Sequence, residues 1–149
     1  MGSPLTVLDA FALIAALTDE PSRDEVERLR YGDGQGVRIS LANLAEVIDQ
    51  LVRVKRQPFI AVDRAVNWLK QDGLDLVPVD EAIGRRAGQL RAVHYHRQHS
   101  SVSLADCLAL ATAEALGEAL ATPDPALAAM ARAVGVEVVA LPDSQGRRP

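Results

Sequence analysis

The chain has 149 residues, of which 48% are hydrophobic and 24% charged, a composition typical of one ordinary folded domain that excludes a disordered or fibrous protein. Its net charge is −4, so the molecule as a whole lacks the positive charge of an electrostatic nucleic-acid binder. The single Cys107 cannot form an intrachain disulfide, and no Cys/His cluster has the spacing of a zinc site. We therefore expect a cytoplasmic protein with no membrane segment, because the longest uncharged run, residues 10–18, is shorter than the roughly 20 residues of a transmembrane helix.

Five short apolar runs rich in β-branched residues predict strands, and segments with helical periodicity lie between them. The predicted strands are 5–8, 37–41, 74–79, 119–122 and 136–141, and the predicted helices are about 9–17, 22–30, 43–56, 61–70, 80–96, 104–116 and 125–134. This alternation predicts a single α/β domain over residues 1–141, with a mostly parallel sheet covered by helices on both faces. Residues 142–149 are expected to form a flexible tail.

A Gly-rich stretch, YGDGQG at residues 31–36, resembles a phosphate-binding loop in composition. Such a loop follows a strand and opens a helix, so that its backbone amides face the phosphates. Here the stretch follows a predicted helix and leads into a strand. We therefore interpret it as a connecting loop.

Four acidic residues are candidates for a ligand site, because ligands of an open α/β sheet bind beyond the carboxyl ends of its strands. Asp9 directly follows the first predicted strand, and Asp124 comes shortly after the fourth. Glu46 falls in the first turn of the helix after the second strand. The topology does not place Asp106 at this edge, since we expect the helix before the fourth strand to begin at the opposite one. A long helix crossing the sheet obliquely would bring it in.

Each of these acids also has a purely structural interpretation as a helix cap. Asp9 and Asp124 are ordinary N-caps, while Glu46 and Asp106 stand where the acid of a capping box would stand. Capping does not explain why ISLANLAEVIDQL and SVSLADCLALATA surround an acid with nearly continuous apolar sequence. Buried carboxylates are costly unless they are paired, hydrogen-bonded or bound to a cation. Taken together, the acids favour a cation site, although each alone favours a cap.

Four spaced segments form a more specific pattern in combination: VLDAFALIAAL, ISLANLAEVIDQLVR, LRAVHYHRQHSSVSLADCLALATA and LATPDPALAAMARAVGVEVV. They place Asp9 after a strand, Glu46 on a helix, Asp106 after a basic segment, and Asp124 in a Thr-x-Asp motif after another strand. In order and spacing the chain resembles the PIN-domain ribonucleases, and among them the VapC-type toxins of bacterial toxin–antitoxin pairs. Phe11 departs from the pattern, since many members have a small polar residue there.

This resemblance implies a five-stranded parallel sheet and a divalent-metal-dependent endoribonuclease, the toxin of a type II toxin–antitoxin pair, that hydrolyses RNA phosphodiesters with a metal-activated water. The catalytic, metal-binding residues would be Asp9, Glu46, Asp106 and Asp124, with one or two Mg²⁺ or Mn²⁺ ions as cofactor. Carboxylates are the oxygen ligands that such hard cations prefer. The implied partners are RNA, a cognate antitoxin protein and a second copy of the chain.

Three further polar residues are expected to support the site: Asn43, Ser103 and Thr122. Asn43 and Ser103 each lie three residues before an acid, where they could orient a carboxylate or a water molecule. Helix capping explains both positions equally well.

Two other functions are alternatives to the nuclease. The first is a catalytically weak PIN-like module that acts by sequestering RNA or a partner. The second is a receiver-like domain, which would need adjacent acids after the first strand and a lysine late in the chain. The second is disfavoured, because Asp9 lies between Leu8 and Ala10 and no lysine follows Lys70.

Residues 85–99 form a basic segment that contains all 3 histidines and no acid. Its arginines are Arg85, Arg86, Arg91 and Arg97. Either this segment is a solvated helix face with a loop, or it guides RNA phosphates toward the acids. A histidine metal site is the least favoured interpretation, since His94 and His96 would diverge on a helix.

Large apolar residues on the early helices are candidates for self-association and antitoxin binding, with packing in the core as the alternative. They are Phe11, Ile14, Leu17, Leu51, Val52, Phe59 and Trp68. Cys107 is interpreted as a small core residue.

Overall fold

The computed structural model describes residues 5–31 and 36–149, which form seven α-helices and five strands. The strands are β1 (Thr6–Leu8), β2 (Val37–Ser40), β3 (Asp75–Val77), β4 (Ala119–Thr122) and β5 (Val138–Ala140). The helices are α1 (Ala10–Leu17), α2 (Arg23–Tyr31), α3 (Leu41–Asp49), α4 (Phe59–Gln71), α5 (Glu81–His94), α6 (Leu104–Leu116) and α7 (Pro125–Ala133). Residues 32–35 of the stretch that we interpreted as a connecting loop, residues 31–36, lie outside the described residues.

The five strands form one sheet in the order β3-β2-β1-β4-β5, and every neighbouring pair is parallel. The predicted α/β fold is confirmed, and the sheet is entirely rather than mostly parallel. Helices cover both faces of the sheet. Successive side chains of a buried strand point to opposite faces, and each face packs against its own hydrophobic cluster. In β1, Leu8 packs with residues of α1 to α4, whereas Val7 packs with residues of α5 to α7.

The helix predicted over 43–56 begins earlier and changes character midway. α3 starts at Leu41, directly after β2, and continues past Asp49 as a π-helical segment, Gln50–Val54. The chain then turns at Arg56, whose φ is +59°, before α4 begins. Pro58 is the N-cap residue of α4 and has an extended backbone.

The helix predicted over 80–96 ends two residues early. Tyr95 has an extended backbone, and His96 then pairs with Ser100 through two backbone hydrogen bonds of 2.8 and 2.9 Å. The segment between α5 and α6 is therefore a closed turn rather than a continuation of the helix.

The C-terminal residues carry defined contacts. Arg147 pairs with Asp143 at 3.0 Å, and Arg148 donates to the carbonyl of Ala140 at 2.7 Å while pairing with Glu25. The flexibility expected for this segment stays a prediction. Across residues 5–31 and 36–149, no helix has both the length and the apolar character required to cross a membrane.

Candidate metal centre

The strand order reverses at β1, because the chain places β2 and β3 on one side of it and β4 and β5 on the other. In α/β sheets such a reversal opens a crevice at the carboxyl ends of the two central strands. Here those ends are joined by a hydrogen bond from the Asp9 amide to the Ala121 carbonyl, 3.1 Å long. The crevice therefore lies where the sequence places Asp9 and the segment after β4.

Asp9 is buried at the bottom of this crevice, with 4% of its surface exposed. Its Oδ1 accepts the Ala12 amide at 2.8 Å, which caps α1, and its Oδ2 accepts the Thr122 hydroxyl at 2.5 Å. Burial raises the pKa of this carboxyl to about 7; the two hydrogen bonds oppose that rise, and the negative charges of Asp106 and Asp124 add to it. Asp9 is thus held partly protonated near neutral pH.

Thr122 connects two acids of the crevice. Its hydroxyl donates to Asp9 and accepts the backbone amide of Asp124 at 3.0 Å. The Asp124 carboxylate caps α7 by accepting the amides of Ala126 and Leu127, both at 3.3 Å. Thr122 was predicted from the sequence to support the site. No local sequence pattern indicated that its hydroxyl, at the end of β4, bonds to Asp9 at the end of β1.

Asp106 also lies at this edge, and our expectation for the direction of its helix was wrong. A helix that returns the chain to the amino end of the next parallel strand must start at the carboxyl edge, so α6 begins there. Its first turn is a capping box, in which Asp106 Oδ2 accepts the Ser103 amide at 2.8 Å and Ser103 Oγ accepts the Asp106 amide at 3.0 Å. Burial raises the pKa of Asp106, and the charge of Asp124 adds to the effect.

The capping interpretation of Asn43 and Glu46 was wrong, since α3 begins at Leu41 and Ser40 caps it by accepting the Ala42 amide at 3.3 Å. Glu46 consequently stands in the second turn. Its carboxyl is half-buried, and its pKa is raised by that burial and then by the charge of Asp106.

Asn43 is fully buried and ties α3 to α6. Its Nδ2 donates to the Ala105 carbonyl at 3.2 Å, one residue before Asp106. Within the part of the chain that the structure describes, its Oδ1 has no hydrogen-bond partner. A buried amide oxygen without a donor is unusual and marks a place that a cation or a water molecule would satisfy.

We call Asp9, Glu46, Asp106 and Asp124 the carboxylate site. Among the described residues, none of these four forms an ion pair with an Arg, Lys or His. Three of them accept backbone amides as helix caps. In the described part of the chain, no three Asp, Glu, His or Cys side chains are arranged to hold one ion. The donor chemistry nevertheless suits a hard divalent cation, because it consists of carboxylate oxygens and one unpartnered amide oxygen without a compensating charge.

The arginines of the basic segment differ in how they are used. Arg85 pairs with Glu81 at 2.9 Å and Arg86 with Glu114 at 2.7 Å, so their charges are compensated. Arg91 donates to the Val102 carbonyl at 3.1 Å, and its guanidinium carbon lies 4.5 Å from the centroid of the Tyr95 ring. Arg97 is exposed and makes no ion pair within the described ranges.

The apolar candidates for association are also divided by the structure. Phe59 and Trp68 are 59% and 57% exposed, whereas Leu51 is 1% exposed and belongs to the core. Phe11 and Ile14 are half-buried. Cys107 is a buried core residue, as predicted, and burial raises the pKa of its thiol to about 11.

Comparison with known proteins decides the family. A family model described as PIN domain matches residues 6–133. The chain belongs to the PIN-domain family. The resemblance seen in the sequence is therefore confirmed, and the carboxylate site lies inside the matched PIN domain. No curated protein sequence matches the chain.

Solved structures with a similar fold include the following three. A toxin–antitoxin complex from Klebsiella pneumoniae matches with a TM-score of 0.62 and 22% identity, covering 92% of this chain and 96% of that one. VapC20 of Mycobacterium tuberculosis, described as a sarcin-ricin loop cleaving toxin, matches with a TM-score of 0.68 and 17% identity over 88% and 95% of the two chains. VapBC2 of Rickettsia felis, bound to a DNA fragment from their promoter, matches with a TM-score of 0.67 and 16% identity over 91% and 97%.

Proposed function

We propose that this PIN domain is a divalent-metal-dependent endoribonuclease and the toxin of a type II toxin–antitoxin pair. The observation that carries the proposal is the buried Asp9, whose pKa is raised to about 7 beside three further acids with no basic partner in the described residues. As charged groups without a bound cation, these acids lower the stability of the fold, because like charges repel and buried charges are costly. Strongly raised carboxyl pKa values in a crevice are instead typical of functional sites.

Asp9, Glu46, Asp106 and Asp124 would hold Mg²⁺ or Mn²⁺, with Asn43 Oδ1 as a neutral oxygen nearby. The chemistry supplied by one or two such ions, when bound, is activation of a water nucleophile and stabilisation of the leaving oxygen of the phosphodiester. The chain supplies orientation. Thr122 fixes the Asp9 carboxylate, and Asn43 holds the helix of Glu46 against the helix of Asp106.

A cognate antitoxin and a second copy of the chain are the proposed protein partners. Support comes from the neighbours of known structure, which include complexes of toxin with antitoxin. Within this chain, the exposed Phe59 and Trp68 on α4 provide apolar surface for such contacts.

The test is cleavage of end-labelled single-stranded RNA by the purified chain, with Mg²⁺ or Mn²⁺ titrated against EDTA. Asp9→Asn should reduce metal-dependent cleavage by at least about 100-fold, since it removes a ligand rather than a group behind one. Asp63→Asn, on the exposed face of α4, is the matched control and should retain activity. Full activity of Asp9→Asn would refute the assignment of the carboxylate site.

One observation favours a second candidate, a PIN-like module that binds RNA or a partner without cutting it. Asp9, Asp106 and Asp124 already accept backbone amides at the starts of three helices, which is a sufficient structural role for each. In that case the wild-type chain would bind RNA with equal affinity with and without divalent ions and would cleave none. Metal-dependent cleavage excludes this candidate.

A further inference from the structure

A groove of about 310 Å³ lies beside the carboxylate site, between the turn that follows α5 and one side of α7. His94 and His99 line one wall, and Pro125, Ala126, Ala129 and Ala133 line the other. A volume of this size, at the lower end of the range for ligand pockets, suits one small planar group rather than a peptide or a duplex.

The groove adjoins the carboxylate site through a shared residue. Ala126 lines the groove, and its backbone amide donates to Asp124 Oδ1 at 3.3 Å. A group seated in the groove would therefore be a close neighbour of whatever the carboxylates hold. None of the described residues that line the groove is acidic.

The turn that carries His99 is stabilised by ring stacking and by hydrogen bonds within the turn. The rings of His96 and His99 stack with centroids 4.5 Å apart and planes inclined by 23°. His96 Nδ1 accepts the amides of Gln98 and His99, both at 3.2 Å, and the His96–Ser100 bridge closes the turn. The His99 ring thus stacks on a His96 ring that is itself hydrogen-bonded to the backbone of the turn.

We propose that this groove binds one unpaired nucleobase of the RNA, adjacent to the phosphodiester that a cation at the carboxylate site would hold. Proteins that bind unpaired RNA stack its bases on aromatic rings, histidine included, and a wall of alanine and proline suits the other face of a base. His94 and His99 are then residues that position the substrate. This inference rests on the proposed function only in requiring that RNA reaches the carboxylates.

The test measures RNA affinity separately from cleavage. Fluorescence anisotropy with a labelled 12-nucleotide single-stranded RNA is measured in the Asp9→Asn background, with and without His94→Ala plus His99→Ala. The histidine substitutions should weaken binding by about fivefold or more, the effect of losing one stacked base. Ala129→Glu, which fills the groove from α7, should do the same. Ala115→Glu, an equally exposed alanine of α6 outside the groove, is the matched control and should bind like the parent.

A set of RNAs that each carry one abasic residue tests whether a base is what the groove holds. One of them should bind the parent weakly and be insensitive to the histidine substitutions. The proposal would be overturned if the groove variants and the parent bound RNA with equal affinity and had the same melting temperature. It would also be overturned if the groove variants kept their RNA affinity but lost antitoxin binding. Cleavage of RNA by the wild-type chain tests the proposed function alone. If the groove variants lose RNA binding but the wild-type chain cleaves no RNA, the base-binding groove is supported and the nuclease function is refuted.

Discussion

Asp9 serves the fold and the site with different atoms. Its Oδ1 caps α1 and its Oδ2 meets Thr122, so the carboxyl group is fully engaged although its charge is unfavourable where it lies. Asparagine in the same place keeps one oxygen acceptor for the Ala12 amide and turns an NH2 donor toward the Thr122 hydroxyl oxygen, without carrying charge. This separation between geometry and charge makes Asp9→Asn an informative variant for stability as well as for activity.

The raised pKa of Asp9 predicts that the metal-free protein loses stability as pH rises from about 4 to about 7. Over this range the unfolded chain has lost the Asp9 proton while the native protein retains it, so unfolding releases a proton and is favoured by higher pH. The effect is at most about 4 kcal/mol, at roughly 1.36 kcal/mol per pKa unit. Thermal melts in EDTA at pH 5 and pH 8 should show a larger loss for the wild type than for Asp9→Asn. Identical pH dependence of the two proteins would contradict the assignment.

Asn43 is predicted to position the site rather than only to stabilise it. Asn43→Ala removes a buried hydrogen bond to Ala105, which should cost about 1–3 kcal/mol and lower the melting temperature. Because the same bond holds the helices of Glu46 and Asp106 together, Mn²⁺ affinity measured by calorimetry should fall by about tenfold. Asn67→Ala, an exposed asparagine of α4, is the control. A lower melting temperature with unchanged Mn²⁺ affinity would reduce Asn43 to a structural role.

At the scale of elements, the sequence predicted strands and helices well because apolar runs and helical periods follow directly from burial on a layered sheet. The predictions were wrong about the direction of one helix and about the first residue of another. The expectation for α6 failed because it ignored that a crossover helix runs antiparallel to the strands it connects. The cap of α3 was misplaced because both Ser40 and Asn43 are good N-cap residues, and only the end of β2 decides between them.

The site was predictable as a set of acids but not as a set of contacts. Asp9 and Asp124 follow strands directly, so parallel topology alone brings them together. The bonds from Thr122 to Asp9 and from Asn43 to Ala105 join residues 113 and 62 positions apart. Such pairs depend on helix packing and strand register, which no local pattern in a single sequence encodes.

The two ends of the basic segment are predicted to differ in RNA binding. Arg97→Ala should weaken binding at low salt and reduce the salt dependence by up to about one unit of slope, with little change in melting temperature, because Arg97 is exposed and makes no ion pair in the described residues. Arg85→Ala removes the same charge from a residue already paired with Glu81, and should have the smaller effect. Arg91→Ala is a poorer probe, since losing the bond to the Val102 carbonyl would destabilise the fold. Equal effects at Arg85 and Arg97 would show that only net charge matters.

At the scale of the whole molecule, the exposed apolar surface of α4 predicts self-association. Phe59, Ile60 and Trp68 are between 57% and 60% exposed. We expect a homodimer in light scattering, which Phe59→Ser with Ile60→Ser should shift toward monomer. Val93→Ser is the control, because Val93 is 71% exposed on α5 and lies on a different helix. A monodisperse wild-type monomer at every concentration would remove this prediction.

The central position of β1 has a consequence for how the protein is made. β1 can pair with β2 early in synthesis, but its other edge waits for β4, which follows about 80 residues later. At about 5–20 residues per second, a nascent chain would spend several seconds with that edge open and with Asp9 lacking Thr122. A product truncated before β4 would thus carry an unpaired edge strand and no assembled carboxylate site. The carboxylate site is therefore complete only after the residues through Asp124 have been synthesised.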